Sequence, residues 1–382
     1  MSSAHHVMIV AGEVSGDSHA ATLVSALKKL DPSLTFSGLG GPKMEKAGVA
    51  IDEDFTKFAV VGFIEVIKHY KEFKRCFDLF LKNVAARKPA AVILVDYPGF
   101  NLRLAARLKK MGVRVIYYIS PQVWAWKENR VQFIKKNVDR MLVLFDFEKK
   151  FYADRGVDVD FVGHPLADKV DITDGREKIL NSLGLSSDKF TIGLLPGSRQ
   201  KEIESLLAPM LDAATILHKE DSRFQFLLLK APNLDPVLFE KFLTNRQLPL
   251  KILTGHFHNG LNACDICMVA SGTATLETAL LLKPMVVIYK TSYLTFVLAK
   301  ALIKIPYIGL VNVVAGKKIV PECIQDDANG IKIAGELKKI YQNPSEFDRM
   351  RQDLEKVKSS LGEGGASVRA AKNILQFLKS LV

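Results

Sequence analysis

Cysteine is scarce in this sequence, and so is tryptophan. The 382 residues contain four cysteines and two tryptophans. Four irregularly spaced cysteines are too few for a disulfide framework, which favours a reducing compartment. The close pair Cys264 and Cys267 has no second CxxC to complete a zinc site, and Cys267 falls in an apolar run typical of a strand. We therefore expect core cysteines and no bound metal.

Long apolar segments and export signals are also lacking. No run of about 20 apolar residues could span a bilayer, and the opening MSSAHHVMIV lacks the basic start of a signal peptide. The expected location is the cytoplasm. A net charge of +12 favours anionic partners such as phosphates or an acidic membrane surface. No RNA-binding strand or DNA-recognition helix pattern accompanies that charge, so we expect no nucleic-acid partner.

Common catalytic signatures are missing as well. The sequence has no GxxxxGK[ST] phosphate loop, no HExxH zinc motif and no GxSxG nucleophile turn. The glycine-rich GLGGPKM (38–44) lacks the GxGxxG spacing of a dinucleotide site. These absences argue against P-loop enzymes, zinc proteases, serine hydrolases and dinucleotide-dependent enzymes, and we expect no cofactor.

The sequence does have a regular alternation of short β-rich apolar runs with longer amphipathic runs. The predicted strands are HVMIVA (6–11), AAVILVD (90–96), VRVIYYI (113–119), DRMLVLF (139–145), FTIGLLPGSR (190–199), FQFLLLKA (224–231), LKILTG (250–255), ICMVAS (266–271) and MVVIY (285–289). Continuous apolar strands that alternate with helices are typical of parallel sheets covered on both faces. The alternation breaks at GHPLADKVDITDG (163–175), which we interpret as a linker. The pattern therefore predicts two doubly wound α/β domains.

The predicted boundaries are 1–166 for the first domain, 167–345 for the second, and 346–382 for C-terminal helices that return to the first domain. Ligands of open parallel sheets bind beyond the carboxyl ends of the strands. If the two domains face each other, the loops at those ends line one cleft. These loops are AGEVSGD, VDYPGFN, ISPQVWAW, PGSRQKE and SGTATLE.

Two carboxylates stand at strand ends in the first domain. Asp96 ends a wholly apolar strand, so burial should raise the pKa of its carboxyl toward that of a useful general base. The alternative is a turn or cap residue for the following helix, although Asn101 is the better cap. Glu13 has no structural reason to end a strand, which favours a role in the cleft. In the same loop, Ser15 or Asp17 is expected to cap a helix.

PGSRQKEIESLL (196–207) places small residues between a strand and a helix. Gly197 lets the backbone approach a ligand, and Ser198 is a candidate N-cap. Arg199 can offer two parallel hydrogen bonds to a phosphate. The alternative is a capped helix with a solvated arginine.

SGTATLETALLLKP (271–284) repeats that arrangement. Gly272 and Thr273 precede a helix whose N-terminus can accept an anion, and Glu277 in its first turn suits ribose hydroxyls. Two such turns in one domain favour a nucleotide, with one turn for the diphosphate and one for the ribose.

Two stretches mix apolar and basic residues, namely 62–82 and 289–310. Such a mixture suits a helix lying on an anionic membrane or a groove for acyl chains. The alternative is ordinary core helices with solvated lysines. The candidate contacts are Phe63, Ile64, Ile67, Lys68, Tyr70, Lys71, Phe73, Lys74, Tyr293 and Phe296.

The ordered motifs resemble those of the lipid-A-disaccharide synthases, and they run over nearly the whole chain. They are AGEVSGD (11–17), GLGGPKM (38–44), VDYPGFN (95–101), SPQVWAW (120–126), VGHPL (162–166), LLPGSRQKEI (194–203), SGTATLE (271–277) and the pair LVN (310–312) and PECIQ (321–325). PGSR or GTAT alone would be weak, whereas the ordered set is specific. The resemblance implies the GT-B architecture, with two Rossmann-like domains facing across a cleft.

The resemblance also implies a reaction of lipid A synthesis in a Gram-negative bacterium. UDP-2,3-diacylglucosamine donates its sugar to 2,3-diacylglucosamine 1-phosphate, which gives a β-1,6-linked disaccharide 1-phosphate and UDP. An α-linked donor and a β-linked product imply a single inverting displacement. We expect peripheral association with the inner membrane through anionic phospholipid, and a homodimer is a further candidate assembly.

Roles for individual residues follow from this reaction. Asp96 is the first candidate for the base that takes the acceptor proton, and Glu13 is the second or positions the acceptor. Arg199, Ser198 and the helix start at Thr273 would stabilise the leaving UDP without a metal. Asn312 and Gln325, in the later matching motifs, would contact the donor sugar or the diphosphate. Cleft contacts to the acceptor are assigned to Ser15, Ser120, Gln122, Trp124 and Trp126, with one tryptophan bracing the loop and the other facing substrate.

Two other classes of function remain open on the residues alone. One is another enzyme of this architecture that acts on a UDP-sugar, such as a UDP-sugar epimerase or a glycosyltransferase of peptidoglycan precursors. The other is a non-enzymatic protein that binds nucleotide sugars or lipids. The apolar and basic stretches argue against the epimerase, and strand-end carboxylates would be costly in a binding protein.

Overall fold

The computed structural model describes residues 3–57, 70–125, 128–244, 246–293, 296–297 and 306–381. The chain divides into two units of contacting residues. The first unit comprises Met1–Asp168 with Leu361–Val382, and the second comprises Lys169–Ser360.

The first unit is built on a parallel sheet whose seven described strands run in the order β3-β2-β1-β4-β5-β6-β7. The strands are β1 (Ser3–Ala11), β2 (Thr35–Gly40), β3 (Val49–Asp54), β4 (Pro89–Val95), β5 (Val115–Tyr118), β6 (Arg140–Val143) and β7 (Asp160–Phe161). The helices are α1 (Val14–Leu30), α2 (Pro42–Lys46), α3 (Tyr70–Arg87), α4 (Pro98–Lys110), α5 (Arg130–Asn137) and α6 (Asp146–Ala153). Every residue from Val7 to Ala11 and from Ala91 to Val95 is fully buried. These central strands are apolar throughout because helices cover both faces of the sheet.

The second unit has a parallel sheet of six described strands in the order β10-β9-β8-β11-β12-β13. The strands are β8 (Phe190–Leu195), β9 (Phe224–Lys230), β10 (Leu250–Thr254), β11 (Ile266–Ala270), β12 (Met285–Tyr289) and β13 (Glu322–Ile324). The helices are α7 (Arg176–Ser182), α8 (Gln200–Glu220), α9 (Val237–Leu243), α10 (Phe257–Ala263), α11 (Thr273–Leu280), α12 (Leu310–Ala315), α13 (Gly330–Tyr341) and α14 (Pro344–Ser360). In both sheets the chain starts near the centre, winds to one edge and then crosses to the other side, which confirms the predicted doubly wound class.

The sequence-based prediction lacks four strands of the structure, β2, β3, β7 and β13. Three of them are sheet edges, where side chains are less buried and the apolar pattern is weak. β2 is an inner strand, but its sequence TFSGLG carries two glycines. One of them is required by packing, because a Cβ on Gly38 would lie 2.0 Å from the carbonyl oxygen of Ile9 on β1.

The C-terminal residues divide differently from the prediction, which grouped 346–382 together. Helix α14 packs on α11, α12 and α13 of the second unit. Its buried Met350, Leu354 and Val357 form a stripe at spacings of four and three residues, and this stripe faces those helices. Only the last helix, α15 (Ala366–Lys379), returns to the first unit, where it packs on α1. The division between the units accordingly falls after Asp168 and after Ser360, not at 166 and 345.

Helix α3 corrects part of the predicted membrane stretch 62–82. Phe73, Cys76 and Phe80 lie on its buried face and belong to the core of the first unit. The ring of Phe73 meets the ring of Phe55 edge to face, with centroids 5.6 Å apart. Phe73 is therefore a core residue, whereas Lys71 and Lys74 are exposed on the opposite face. None of the described helices combines the length and apolarity needed to cross a bilayer.

Candidate functional site

The central strands of the first sheet end side by side, as the strand-end argument predicts. The last residues of β1, β4 and β5 are paired in register, so the loops that follow leave the same edge of the sheet. These loops carry Glu13, Asp96 and Ser120. Ser15, in the first turn of α1, is exposed at this edge.

Asp96 sits in a strained turn. Asp96 and Tyr97 both have a left-handed backbone, with φ of 47° and 46°, which aspartate tolerates better than tyrosine. The Asp96 carbonyl accepts hydrogen bonds from the Tyr117 hydroxyl at 2.6 Å and from the Asn101 side-chain amide at 2.8 Å. The buried Asn101 thus fixes the turn and does not cap α4, whose N-cap residue is Tyr97. Asp96 does not cap α4 either, so the cap alternative is wrong, whereas its place in a turn is confirmed.

The electrostatics of this turn favour a proton acceptor. Burial and then the nearby charge of Glu13 together raise the pKa of Asp96 from 3.8 to about 6, against a hydrogen bond from the Tyr97 backbone that lowers it. Burial and then Glu13 raise the pKa of Tyr97 to about 12. A carboxyl group with a pKa near 6 is ionised at neutral pH and basic enough to take a proton.

Glycine and aspartate in AGEVSGD have separate structural tasks. A Cβ on Gly12 would lie 2.5 Å from Cδ1 of Tyr97, so the Tyr97 ring packs directly over the glycine backbone. The buried Asp17 carboxylate accepts hydrogen bonds from the backbone amides of Gly41, Lys43 and Met44. Asp17 therefore caps α2 and not its own helix. This contact joins the AGEVSGD loop to the GLGGPKM loop.

The SPQVWAW loop follows β5 at the same edge. Ser120 is buried, and its hydroxyl lies 2.7 Å from that of Tyr152 and donates to the Pro121 carbonyl, so its predicted contact with substrate is wrong. Gln122 is exposed. The Trp124 indole donates to Oε1 of Glu148 at 3.2 Å, and its ring packs edge to face on Phe147. Trp124 is thus the tryptophan that braces the loop, and Trp126 lies outside the described residues.

The second unit contains a cavity of about 620 Å³ at the carboxyl ends of its own strands. It is lined by the loops after β8, β9, β10 and β11. Lining residues include Ser198, Arg199, Lys230, Phe257, Gly272, Thr273 and Glu277. A cavity of this size accommodates a nucleotide.

The start of α8 on one side of this cavity differs from the prediction. Arg199, not Ser198, is the N-cap residue. The Glu202 carboxylate accepts hydrogen bonds from the backbone amides of Ser198 at 2.9 Å and Arg199 at 3.1 Å, and it pairs with the Arg199 guanidinium at 3.0 Å. The Arg199 side chain is nevertheless 65% exposed. A ligand phosphate can therefore reach this guanidinium, while the two amides are held by the protein's own carboxylate.

The start of α11 lies on the other side of the cavity. Gly272 is the N-cap residue with φ of 150°, a backbone conformation that favours glycine, and it has no side chain to cap the helix. Glu277 lies 3.3 Å from Nε2 of His258, which fixes the carboxylate against the cavity wall. The predicted residues of this motif all line the cavity.

Asn312 and Gln325 have structural positions away from the cavity lining. Asn312 is fully buried; its amide donates to Val320 and Glu322, and its oxygen accepts from the backbone amides of Ile319 and Val320. Gln325 forms two hydrogen bonds with the backbone of Thr291. Asn312 is too deeply buried to contact the donor, so that prediction is wrong. The predicted contact of Gln325, which is half-buried, stays a prediction. The LVN and PECIQ motifs hold neighbouring segments together.

The cysteine pair lies in the core, as expected. Cys264 and Cys267 are fully buried, and a Cβ on Gly193 would lie within 2.9 Å of both sulfur atoms. In the part of the chain that the structure describes, no three His, Cys, Asp or Glu side chains are grouped to hold a metal ion.

The remaining membrane candidates have mixed positions. Tyr293 is 78% exposed, and Phe296 is half-buried. Phe63, Ile64, Ile67 and Lys68 lie outside the described residues, as does the side chain of Tyr70.

Several residues at these edges were not predicted from the sequence. They are Tyr97, Glu148, Tyr152, Glu202, Lys230, His256, Phe257 and His258. Glu202 and Glu148 stand at the third position of a helix, where a glutamate commonly caps the amides of the first turn, so that spacing was an available signal. The others depend on distant segments meeting at one edge, which no local pattern encodes.

Comparison with known proteins places these two units in a family. A family model described as lipid-A-disaccharide synthetase matches residues 7–376. The lipid-A-disaccharide synthase of Geobacter sulfurreducens is 44% identical over 374 residues, which cover 98% of this chain and 97% of that protein.

Solved structures show the same fold at low identity. A putative UDP-N-acetylglucosamine 2-epimerase from Listeria monocytogenes has a TM-score of 0.67 at 15% identity, over 98% of this chain and 97% of that one. CalG4, a calicheamicin glycosyltransferase, has a TM-score of 0.59 at 15% identity, over 98% of each chain. These matches support two Rossmann-like domains of the GT-B class.

Proposed function

Because the chain belongs to the lipid-A-disaccharide synthase family, we propose that it transfers the sugar of UDP-2,3-diacylglucosamine to 2,3-diacylglucosamine 1-phosphate and releases UDP. Membership makes the chain a glycosyltransferase that forms the lipid A disaccharide. The observation that carries the proposal is the family match over residues 7–376.

Asp96 is the proposed general base of an inverting displacement. Its carboxyl stands at the carboxyl edge of the first sheet with a pKa of about 6, so it can accept the proton of the acceptor 6-hydroxyl as that oxygen attacks the anomeric carbon. Help of this kind contributes roughly 10²–10⁴-fold to rate. Glu13 supports the role by raising the pKa of Asp96, and its carboxylate can orient the acceptor.

The cavity of the second unit is the proposed site for the UDP part of the donor. The Arg199 guanidinium would pair with the diphosphate, and the start of α11 at Thr273 would place backbone amides and the positive end of the helix beside it. Glu277, held by His258, would accept hydrogen bonds from ribose hydroxyls. Phe257 and Lys230 line the same cavity and would border the uracil ring of UDP. Charge on the leaving UDP is then stabilised by protein groups, and no metal is proposed.

Membrane association is proposed through the segment that contains Tyr293. Tyr293 and Val297 are exposed apolar side chains, at 78% and 45%, and Lys290 beside them is exposed as well. Apolar and basic side chains together suit an anionic lipid surface.

A product assay with three substrate sets tests the proposal. Purified protein should release UDP when both diacylated substrates are present, and release should fall to background when either the acceptor or the acyl chains are left out. Conversion of the UDP-sugar without acceptor would favour an epimerase. No UDP release from folded protein with both substrates would refute the proposal.

A further inference from the structure

Glu148 is a buried carboxylate with several donors directed at it. It is only 2% exposed and stands in the first turn of α6, which follows β6. Its Oε2 accepts hydrogen bonds from the backbone amides of Leu144 and Phe145, both at 3.1 Å, and its Oε1 accepts from the Trp124 indole at 3.2 Å. The amide contacts are ordinary helix capping. The indole contact is different, because it comes from a loop on the neighbouring strand.

That loop leaves its strand in a strained conformation. Ile119, the first residue after β5, has φ of 70°, which is unfavourable for a β-branched residue. The next residue, Ser120, is tied to Tyr152 of α6 at 2.7 Å. Trp124 completes the attachment through Glu148 and through Phe147. Strain of this kind persists only where surrounding contacts hold it. Here the Ile119 amide donates to the Leu142 carbonyl of β6 at 3.1 Å, and the side-chain contacts of Ser120 and Trp124 come from the first two turns of α6.

We propose that Glu148 is a positioning residue that holds the Ser120–Ala125 loop beside Asp96 by fixing the Trp124 indole. β4 and β5 are paired up to their last residues, and the Asp96 amide donates to the Tyr118 carbonyl at 3.0 Å. The loop therefore starts next to the turn that carries Asp96. Release of Trp124 from Glu148 would therefore displace this loop beside Asp96 without changing the proton acceptor itself.

The ionisation of Glu148 bears on the same contact. Burial raises its pKa to about 7, against the hydrogen bonds that it accepts, first among them those from Phe145 and Trp124. The ionised carboxylate accepts from all its donors, whereas the protonated form carries a hydrogen on one oxygen. Titratable groups near it are Tyr152, whose pKa is raised mainly by burial, and His164, which packs on Phe145 with ring centroids 5.3 Å apart. The loop should therefore be held most firmly above pH 7.

Tryptophan emission reports directly on this contact, because both tryptophans of the chain, Trp124 and Trp126, lie in this motif. Emission of the wild-type protein should change with a midpoint near pH 7, and the change should be absent in Trp124→Phe and in Glu148→Gln. In Glu148→Gln, the side-chain oxygen keeps the hydrogen bonds from the two backbone amides. The side-chain NH₂ then faces the indole N–H, and two donors cannot form a hydrogen bond with each other. This variant removes the indole contact while preserving the shape of the side chain.

Kinetics test the consequence for catalysis, which rests on the proposed function. Glu148→Gln should raise the acceptor KM about tenfold, the size expected for one hydrogen bond to a charged group, with kcat changed less than about threefold. In a Trp124→Phe background the same substitution should change KM less than about twofold, because the contact is already gone. Asp139→Asn is the matched control. Asp139 is a partly buried carboxylate at the amino ends of the strands, where it accepts a hydrogen bond from the Val115 amide. Its replacement should leave tryptophan emission and the acceptor KM unchanged.

The outcomes separate the positioning role from a merely structural one. The proposal is overturned if the tryptophan emission of the wild type does not change between pH 6 and pH 8. It is overturned as well if the effects of Glu148→Gln and Trp124→Phe on the acceptor KM are additive in the double variant. It is also overturned if Asp139→Asn reproduces the KM effect, since general loss of stability would then explain it. Failure of the wild-type protein to release UDP would instead count against the proposed function, and the emission titration would still decide whether Glu148 holds Trp124.

Discussion

Replacement of Asp96 by asparagine should lower activity and raise stability at the same time. The isosteric amide keeps the volume of the side chain and can still accept the hydrogen bond from the Tyr97 amide, but it cannot take a proton. If Asp96 is the base, turnover should fall by at least about 10². The gain in stability arises because an ionised carboxylate is unfavourable at this poorly solvated strand end near Glu13.

The size of that gain follows from the pKa. In the folded protein the pKa of Asp96 rises from 3.8 to about 6, and one pH unit corresponds to about 1.4 kcal/mol, so ionisation in the folded state costs about 3 kcal/mol. Because the folded-state pKa is the higher one, the folded protein binds more protons between about pH 4 and pH 6, and the wild type loses stability as pH rises through that window. The variant lacks this loss. It should be more stable than the wild type by up to about 3 kcal/mol at pH 8 and by less than about 1 kcal/mol at pH 4.

Urea unfolding at pH 4 and pH 8 measures the difference, and UDP release at pH 8 measures turnover. Glu13→Gln is the matched control, because it removes the second cause of the raised pKa; the acid limb of kcat/KM, expected near pH 6 in the wild type, should move to lower pH in this variant. Equal stability differences at the two pH values would refute the electrostatic reasoning. A turnover near that of the wild type in Asp96→Asn would refute the assignment of the base.

Four further substitutions, and Lys201→Ala as a control, test the second unit, the core position of Phe73 and the membrane contact. Arg199→Ala should weaken UDP binding about 10- to 100-fold by calorimetry, as expected for a hydrogen bond between charged groups, whereas Lys201→Ala, an exposed neighbour outside the cavity lining, should leave the dissociation constant unchanged. Glu277→Gln should weaken binding of UDP but not of inorganic diphosphate, and equal losses for both would contradict a ribose contact. Phe73→Ala should destabilise the protein by about 3–5 kcal/mol. Tyr293→Ala should leave the melting temperature unchanged and reduce sedimentation with anionic vesicles. A stable Phe73→Ala that no longer sediments with vesicles, or an unstable Tyr293→Ala that still does, would contradict the core position of Phe73 and the membrane contact of Tyr293.

The fold class could be predicted because it depends on patterns that repeat along the chain. Apolar runs such as AAVILVD are buried on both faces whatever their partners, so they identify central strands on their own. Edge strands such as β3 are half-exposed and carry acidic residues, so their sequence does not differ from that of a loop. The division of the C-terminal helices was not predictable either, because α14 and α15 are both amphipathic and only their partners differ.

The candidate site was predictable where chemistry is tied to a strand end. Asp96, Arg199 and Glu277 were found in this way. The same reasoning assigned ligand contacts to Asn312 and to Ser120, which the structure shows buried and hydrogen-bonded within the chain. A motif in sequence does not distinguish a residue that touches ligand from one that shapes the loop, since both are polar residues at a strand end. That distinction requires the three-dimensional partners, and Glu148 beneath Trp124 is visible only there.

The most direct test of the central claim is the structure of the product. Purified protein incubated with UDP-2,3-diacylglucosamine and 2,3-diacylglucosamine 1-phosphate should yield one new lipid, whose mass equals that of the two sugar units joined with loss of UDP. Proton NMR of the isolated lipid should show a β-anomeric linkage to the 6-position of the phosphorylated sugar. An α-linkage would contradict the single displacement, and a UDP-sugar recovered only unchanged or epimerised would contradict the assigned reaction.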